Sequence, residues 1–215
     1  MKITKDLYQS NLALLTDFYQ LTMAYAYWKS GKGEQEAVFN LFFRKNPFEG
    51  GFTLAAGLDY VVDYCKNLQF EQGELDYLRK MNQKDGTPMF ASEFLDYLKE
   101  LRFTCDIDAV EEGTVVFPNA PMVQVRGSLI QCQLLETPLL NILNFQTLIA
   151  TKAARINLAA QGAPVLEFGL RRAQGIDGAL AASRASYIGG CSSTSNVMAG
   201  KLFDIPVSGT HAHSW

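Results

Sequence analysis

The fold follows from one run of twelve residues, Pro164-Val165-Leu166-Glu167-Phe168-Gly169-Leu170-Arg171-Arg172-Ala173-Gln174-Gly175. It begins as an apolar strand and ends in two arginines and a glycine, immediately before a segment with helical spacing. A helix over about 178–187, a second over about 196–203 and an apolar strand at 205–207 follow. Strands and helices that alternate in this way predict a parallel α/β architecture, in which sites gather at the carboxyl ends of strands.

The residues before this run follow a different pattern. Helical spacing recurs over 16–30, 54–67, 72–81 and 91–101, and a phenylalanine-rich run at 37–44 predicts a strand. Short β-rich runs separated by turn residues then predict a small antiparallel sheet; they lie at 103–110, 114–117, 122–126 and 129–134. Thr137 offers an N-cap, with Pro138 at the first position of a helix that runs to about residue 160.

Together these patterns predict the class α/β, with two domains. Residues 1–135 form an amino-terminal α+β domain with a small antiparallel sheet, and residues 136–215 form the first part of an irregular α/β barrel. The stretch from 164 to 215 contains fewer βα units than a complete barrel requires. We therefore expect an incomplete barrel.

Composition limits the classes of partner. The chain is 48% hydrophobic, enough for a core of ordinary size, and its net charge of -3 offers no broad basic field for nucleic acid. An anionic substrate must then be bound by local arginines. The four cysteines form no C-x-x-C pair, which favours buried, reduced thiols, and no segment has the length or flanks of a membrane span or signal peptide. We expect a cytoplasmic protein with no membrane partner.

Both histidines, His211 and His213, lie in the last seven residues, just after the strand predicted at 205–207. An imidazole at a strand end can serve as nucleophile, proton carrier or metal ligand, because its ordinary pKa lies close to neutral. A structural or surface role is the alternative. The His-x-His pair has no carboxylate or cysteine near it in sequence, so we predict no metal site in the protein.

Four separated motifs carry a resemblance to a known family. They are Thr16-Asp17-Phe18-Tyr19-Gln20-Leu21-Thr22-Met23, Thr147-Leu148-Ile149-Ala150-Thr151-Lys152-Ala153-Ala154-Arg155, Glu167-Phe168-Gly169-Leu170-Arg171-Arg172-Ala173-Gln174-Gly175 and the closing Gly-Thr-x-Ala-His-Ser of 209–214. In this order, across nearly the whole chain, they resemble the nicotinate phosphoribosyltransferases. The resemblance implies that nicotinate attacks the anomeric carbon of 5-phosphoribosyl pyrophosphate, displaces pyrophosphate and yields nicotinate mononucleotide, the first step in salvage of nicotinate into NAD.

The resemblance also implies roles for two aromatic residues. A site for nicotinate needs aromatic faces for the ring and a cationic or amide donor for the carboxylate. Phe168 stacks on one face of the ring, and Tyr19 reaches the site from the neighbouring subunit of a homodimer. By the same resemblance, residues 1–135 bind substrate and dimerise, and members of the family are considerably longer than this chain. Ordinary core packing is the alternative for both rings.

Two arginines, Arg171 and Arg155, are candidates for phosphate groups. Neighbours on an extended strand point to opposite sides, so only one of Arg171 and Arg172 can face a pocket at the strand end. We assign Arg171 to phosphate or pyrophosphate and Arg172 to a structural or subunit-interface ion pair. Arg155 shares a basic helix face with Lys152, which can equally be a solvated stripe. Thr194, in a capping segment before the helix at Val197, is a further possible phosphate ligand. Surface ion pairs or simple capping are the alternatives.

The closing motif completes the predicted site. Gly209 permits close backbone approach, Thr210 can donate to a carboxylate, and by resemblance both border nicotinate. The resemblance implies that His213 is phosphorylated by ATP and that cleavage of the phosphohistidine is coupled to product formation. Magnesium accompanies 5-phosphoribosyl pyrophosphate and ATP. His211 stands where the family pattern leads us to expect an apolar residue.

Other functions remain open from the sequence. A nicotinamide or quinolinate phosphoribosyltransferase would share this chemistry, because related pockets differ in a few side chains around the pyridine substituent. A noncatalytic, truncated assembly fragment that dimerises with a complete partner is the alternative from another class.

Overall fold

The computed structural model describes residues 12–211 and Ser214, and these form two compact units. The first combines the segment up to Leu41 with 59–108 and 123–140. The second combines 42–58 and 109–122 with the segment from Asn141 onward. Each unit therefore draws on three separate parts of the chain, and the domain boundary predicted at 135/136 stays a prediction.

The described residues contain helices and short strands in the following order. The helices are α1 (Phe18–Lys29), α2 (Leu58–Asn67), α3 (Gln72–Arg79), α4 (Ser92–Glu100), α5 (Leu129–Ala159), α6 (Gly175–Ile188) and α7 (Val197–Phe203). The strands are β1 (Glu36–Leu41), β2 (Thr53–Leu54), β3 (Asp106–Ala109), β4 (Val115–Val116), β5 (Val123–Ser128), β6 (Leu166–Glu167) and β7 (Ser193–Thr194). The prediction of a mixed α/β chain with small antiparallel sheets is confirmed.

The first unit holds a three-stranded sheet and an aromatic core. The strand order is β1-β5-β3, and β1 pairs with β5 in antiparallel register from Glu36 opposite Ser128 to Leu41 opposite Val123. The ring of Phe94 is fully buried, with its centroid 5.0 Å from that of Tyr25 and 5.6 Å from that of Trp28. Burial of such large rings supplies much of the hydrophobic stabilisation in a unit of this size.

Two predicted boundaries are wrong in the structure. The helix predicted over 54–67 begins only at Leu58, because Thr53 and Leu54 pair as β2 with β4. The strand predicted at 129–134 is instead the beginning of α5, which continues through Pro138. Residues 130–133 alternate between apolar and polar side chains, which is the period of a strand, but Gln131 and Gln133 are buried together with their apolar neighbours in the first turns of the helix.

Helix α5 supports the second unit through two hydroxyls on one face. Thr151 Oγ1 accepts a hydrogen bond from Leu54 N at 2.9 Å, and Thr147 Oγ1 lies 3.3 Å from Ala56 N and 3.1 Å from Ala56 O. The spacing of four residues places both hydroxyls on one stripe, where they bind the backbone of the chain beside β2. Leu54, Ala56, Ala150 and Ala185 form the buried cluster around this contact.

The four cysteines agree with the prediction of buried, reduced thiols. Cys65, Cys105, Cys132 and Cys191 are free and buried, as predicted. Burial raises the pKa of the Cys65 and Cys105 thiols to about 12. Among residues 12–211, no helix has both the length and the apolar character needed to cross a membrane.

Candidate functional site

Three parallel strand segments lie side by side in the second unit, with their carboxyl ends at the same edge. Leu166 and Glu167 of β6 pair in parallel with Ser193 and Thr194 of β7, and Thr194 in turn forms a parallel bridge with Val207. Helix α6 connects the first pair and helix α7 connects the second, so these are two consecutive βαβ connections. The prediction of a parallel α/β architecture after residue 164 is confirmed, although β7 itself was missed.

The carboxyl ends of these strands bring together the predicted site residues of two motifs. Phe168 directly follows β6, and Gly209 and Thr210 lie just beyond the bridge at Val207. With β7 between them, β6 and the Val207 segment are about 10 Å apart, or two strand spacings. That separation suits a small substrate bound across the edge, since ligands in open α/β sheets bind outside the carboxyl ends of strands.

A buried polar network underlies this edge. Glu167 Oε2 accepts hydrogen bonds from Ser183 Oγ at 2.9 Å and Thr194 Oγ1 at 2.6 Å, while Glu167 Oε1 accepts from the backbone N–H of Gly169. Asn196 adds a bond from Nδ2 to Ser183 Oγ at 3.2 Å. The network joins β6, α6, β7 and the start of α7. Sequence reasoning missed it, and the only signal was an acidic residue at the end of an apolar strand.

Phe168 directly follows strand β6 and is not part of the buried core. The residue is 37% exposed, so ordinary core packing does not describe it. The next residue is Gly169, where a Cβ would lie 2.9 Å from Glu167 Oε1 and would crowd the carboxylate. The glycine therefore allows the Glu167 carboxylate to fold back against the backbone directly after Phe168.

The argument that separated Arg171 from Arg172 is corrected by the structure. Strand β6 ends at Glu167, and Leu170–Arg172 form a single turn of 3-10 helix, closed by a hydrogen bond from Arg172 N to Gly169 O at 2.9 Å. Successive side chains on such a turn diverge by about 120°, so the two-sided alternation of a strand does not apply. Both guanidinium groups are exposed, and the assignment of Arg171 to phosphate stays a prediction.

Thr194 and the segment before α7 have a defined structural role. Thr194 is fully buried; its hydroxyl donates to Glu167 and accepts from Asn196 N at 3.0 Å. The N-cap of α7 is Asn196, whose side chain accepts from Ala199 N at 3.2 Å. Because the Thr194 hydroxyl is already engaged in both directions, its predicted phosphate contact lacks support, and α7 is only seven residues long.

Residues of the closing motif are described only in part. Gly209, Thr210 and His211 are exposed, and a Cβ on Gly209 would meet nothing within 4 Å. The Gly209 backbone is thus open to close approach by a ligand. His213, the predicted phosphorylation site, lies outside the described residues.

Arg155 and Lys152 bind a strained turn. Arg155 Nη1 donates to the carbonyl oxygen of Phe48 at 2.5 Å, and Lys152 Nζ lies 4.6 Å from the centroid of the Phe48 ring. Phe48 and Glu49 have φ values of 58° and 53°, a left-handed conformation that costs on the order of 1 kcal/mol for each such residue. The basic helix face is therefore engaged with the turn, and a phosphate role for Arg155 stays a prediction.

Tyr19 lies in the first unit, on α1. Its hydroxyl donates to Glu136 Oε1 at 3.0 Å, and this bond raises the pKa of the phenol. The side chain is 46% exposed, so the core-packing alternative does not describe Tyr19 either. Its predicted contribution to a neighbouring subunit stays a prediction.

An ion pair that the sequence did not indicate stabilises the second unit. Glu112 Oε2 lies 2.6 Å from Arg184 Nη2, and Glu112 Oε1 accepts from Arg184 Nη1 at 2.9 Å and from Gly57 N at 2.5 Å. The two side chains are 16% and 13% exposed. Burial by itself raises the pKa of Glu112, but the bonds from Arg184 and the backbone outweigh it, so the pKa lies below its ordinary range. Within residues 12–211, no three His, Cys, Asp or Glu side chains cluster as a metal site would require.

The fold and the strand edge define a class of protein: an α+β amino-terminal region that leads into parallel βαβ units, with an aromatic ring and arginines at the strand ends. A family model described as the nicotinate phosphoribosyltransferase (NAPRTase) N-terminal domain matches residues 14–144. The chain therefore belongs to the nicotinate phosphoribosyltransferase family.

Known proteins from distant organisms are similar over most of the chain. Nicotinate phosphoribosyltransferase of Caenorhabditis elegans is 51% identical over 204 residues, covering 94% of this chain and 36% of that protein. The enzyme of the same name from Bacillus subtilis (strain 168) is 48% identical, covering 95% of this chain and 40% of its own length. The chain thus spans about two fifths or less of these relatives.

Solved structures agree with the fold. The crystal structure of human nicotinic acid phosphoribosyltransferase superposes with a TM-score of 0.84 at 44% identity, covering 93% of this chain and 39% of that one. The structure of nicotinate-nucleotide pyrophosphorylase from Pyrococcus furiosus has a TM-score of 0.70 at 22% identity and supports the fold alone.

Proposed function

We propose that this chain supplies the amino-terminal part of a nicotinate phosphoribosyltransferase. In this reaction the ring nitrogen of nicotinate attacks the anomeric carbon of 5-phosphoribosyl pyrophosphate; the new N–C bond forms as the bond to pyrophosphate breaks, and nicotinate mononucleotide results. The supporting observation is that Phe168 and the Gly209-Thr210 backbone follow two parallel strand segments that lie on either side of β7. The chain is also 51% identical over 204 residues to an enzyme of that name.

The described residues suit the chemistry of the two substrates. The exposed ring of Phe168 offers a flat apolar face to the pyridine ring, and the open backbone of Gly209 and Thr210 offers N–H donors to its carboxylate. Arg171, exposed on the turn after β6, presents a guanidinium that can bind phosphate oxygens in pairs. Tyr19 of a second subunit would cover the other face of the pyridine ring in a homodimer.

The finer features of the proposal concern residues and molecules beyond this edge. ATP would phosphorylate His213, and hydrolysis of the phosphohistidine would be coupled to product formation, because a neutral imidazole nitrogen is a competent phosphoryl acceptor. Magnesium would enter with the phosphate groups of 5-phosphoribosyl pyrophosphate and ATP, which provide the oxygen ligands that it prefers. A cytoplasmic location is consistent with the four buried free thiols.

The alternatives receive less support. Relatives at 48% to 51% identity are named for nicotinate, which favours it over nicotinamide and quinolinate as the base. A noncatalytic assembly fragment is less favoured, because these relatives are named as enzymes.

The proposal is tested by nucleotide synthesis from 5-phosphoribosyl pyrophosphate with each of the three bases, measured by separation of the products. We expect nicotinate mononucleotide as the main product; equal or greater product from nicotinamide or quinolinate would contradict the assignment of the base. Labelled ATP, under conditions that preserve phosphohistidine, should label the protein and the His211→Ala variant but not His213→Ala. Label retained in His213→Ala would remove His213 from the mechanism.

Arg171 is tested separately, with its neighbour as the matched control. Arg171→Ala should weaken binding of 5-phosphoribosyl pyrophosphate about tenfold or more, as loss of a charge-assisted bond predicts. Arg172→Ala should change it far less. A larger effect from Arg172→Ala would exchange the roles of the two residues.

A further inference from the structure

The side chain of Glu167 binds the backbone on the far side of Phe168. Its Oε1 accepts from Gly169 N, and its own carbonyl oxygen accepts from Ser195 N at 3.0 Å. Phe168 therefore lies between two backbone positions that are both fixed through Glu167, while its ring remains 37% exposed. Without these bonds, an exposed aromatic residue directly after the end of a strand would adopt several rotamers and backbone conformations.

The other carboxylate oxygen of Glu167, Oε2, is bound by two buried hydroxyl groups. Ser183 Oγ and Thr194 Oγ1 both bind Oε2, and these two residues are 1% and 0% exposed. Ser183 lies on α6 and Thr194 lies on β7, so the carboxylate is hydrogen-bonded to two different elements of secondary structure. Precise sites depend on such supporting bonds, because a loosely held group loses the geometry that binding requires.

We propose that Glu167 is a positioning residue: its carboxylate fixes the turn at Phe168-Gly169 and so holds the Phe168 ring in the orientation that receives the pyridine ring of nicotinate. This inference rests on the proposed function. In this role Glu167 acts through Phe168: hydrogen bonds from Gly169, Ser183 and Thr194 hold its two carboxylate oxygens in place.

The hydrogen bonds of Glu167 predict which substitution is tolerated. Glutamine keeps an oxygen for Gly169 N, and its amide can donate to Ser183 or Thr194, because hydroxyl groups accept as well as donate. Alanine removes every side-chain bond. A positioning role therefore predicts that Glu167→Gln retains function, whereas a role for the negative charge predicts that Gln and Ala are equally damaging.

The experiment compares KM for nicotinate and for 5-phosphoribosyl pyrophosphate in the purified protein. Glu167→Ala should raise KM for nicotinate about tenfold and change KM for 5-phosphoribosyl pyrophosphate less than about threefold, the ratio expected when one or two hydrogen bonds are lost. Glu167→Gln should stay within about threefold of the wild type in both. Equal loss of kcat in Gln and Ala would overturn the proposal in favour of direct chemistry.

A double-mutant cycle tests whether Glu167 acts through Phe168. In a Phe168→Ala background, the further change Glu167→Ala should leave KM for nicotinate unchanged; additive effects would contradict the proposal. If Glu167→Ala fails to fold, Gly169→Ala serves instead. The Gly169 backbone angles suit alanine, but the added Cβ at 2.9 Å from Oε1 must displace the carboxylate, so KM for nicotinate should again rise about tenfold.

Thr151→Val is the matched control. It removes a buried hydroxyl that binds a backbone N–H in the same unit, at Leu54, and should lower stability without changing KM for nicotinate. An equal rise in KM in this control would assign the effect to general loss of stability. These assays use the full-length enzyme that contains this chain, because the proposed function assigns only the amino-terminal part to it. If that wild-type enzyme forms no nicotinate mononucleotide, the proposed function is refuted, which separates that failure from failure of the positioning role.

Discussion

The ion pair between Glu112 and Arg184 offers a sharp test of what stabilises the second unit. The substitution Arg184→Met keeps an unbranched apolar stem on α6 but removes bonds of 2.6 and 2.9 Å to the carboxylate. It leaves Glu112 only 16% exposed and without its cationic partner.

The expected cost follows from this geometry. Removal of one partner of a buried ion pair costs about 3–5 kcal/mol. Because Glu112 keeps its bond from Gly57 N and retains some access to water, we expect a cost at or just below the bottom of this range, about 2–3 kcal/mol. With an m value of about 2 kcal/mol/M, the midpoint of urea unfolding should fall by roughly 1–1.5 M.

Urea unfolding followed by circular dichroism measures this change, and a second substitution identifies its cause. Arg184→Met combined with Glu112→Gln no longer buries an unpaired charge and should recover about 1 kcal/mol or more. The reasoning is refuted if Arg184→Met alone costs less than about 0.5 kcal/mol, or if the double variant is no more stable than the single one.

Acid should remove the contribution of the pair. The pKa of Glu112 in the folded chain lies below its ordinary value of 4.5, so the unfolded chain takes up the proton first as pH falls. The carboxylate therefore contributes its full stability above about pH 4.5, and this contribution is lost as pH falls through the lower pKa of the folded state. The difference between wild type and Arg184→Met should shrink as pH falls below about 4.5; a difference independent of pH would contradict an ionic origin.

Three further predictions concern other contacts. Burial raises the pKa of Cys105 from 9.0 to about 12, so the stability that depends on the neutral thiol should be fully present below pH 9.0 and should decline as pH rises through this interval. The midpoint of urea unfolding should therefore fall between these pH values, and it should fall less in Cys105→Ala. Gly189→Leu should cost about 3 kcal/mol in thermal or urea unfolding, because even a Cβ would lie 2.5 Å from Ala150 O; a neutral result would contradict the close packing. Arg155→Ala should increase the rate of amide hydrogen exchange at 48–50, while the free energy of unfolding changes by less than about 1 kcal/mol. An unchanged exchange rate would show that the turn does not depend on Arg155.

The parallel part of the fold could be predicted because local signals agreed with tertiary structure there. The apolar run before Glu167 ends in a turn, helical spacing follows, and Asn196 caps the next helix as Ser, Thr or Asn residues do. The strand at Ser193–Thr194 escaped detection because its residues are polar. Their burial depends on hydroxyl bonds to Glu167 and Ser208, which are partners that only the folded chain brings together.

The position of the candidate residues in the fold could be predicted from the sequence, but the hydrogen bonds that surround them could not. Phe168, Gly209 and Thr210 lie at the strand edge where the motifs suggested, since carboxyl ends of parallel strands meet at one edge. The argument from strand alternation that separated Arg171 from Arg172 does not apply, because the chain turns into a 3-10 helix at Leu170, and the assignment of Arg171 stays a prediction. The network around Glu167 joins residues up to 27 positions apart in sequence, so no local pattern could reveal it.

The most direct test is a crystal structure of the protein with nicotinate bound. We predict that the pyridine ring stacks on Phe168 and that its carboxylate approaches the backbone of Gly209 or Thr210, at the carboxyl ends of β6 and β7. Nicotinate bound elsewhere, with the Phe168 ring left open to solvent, would contradict the account.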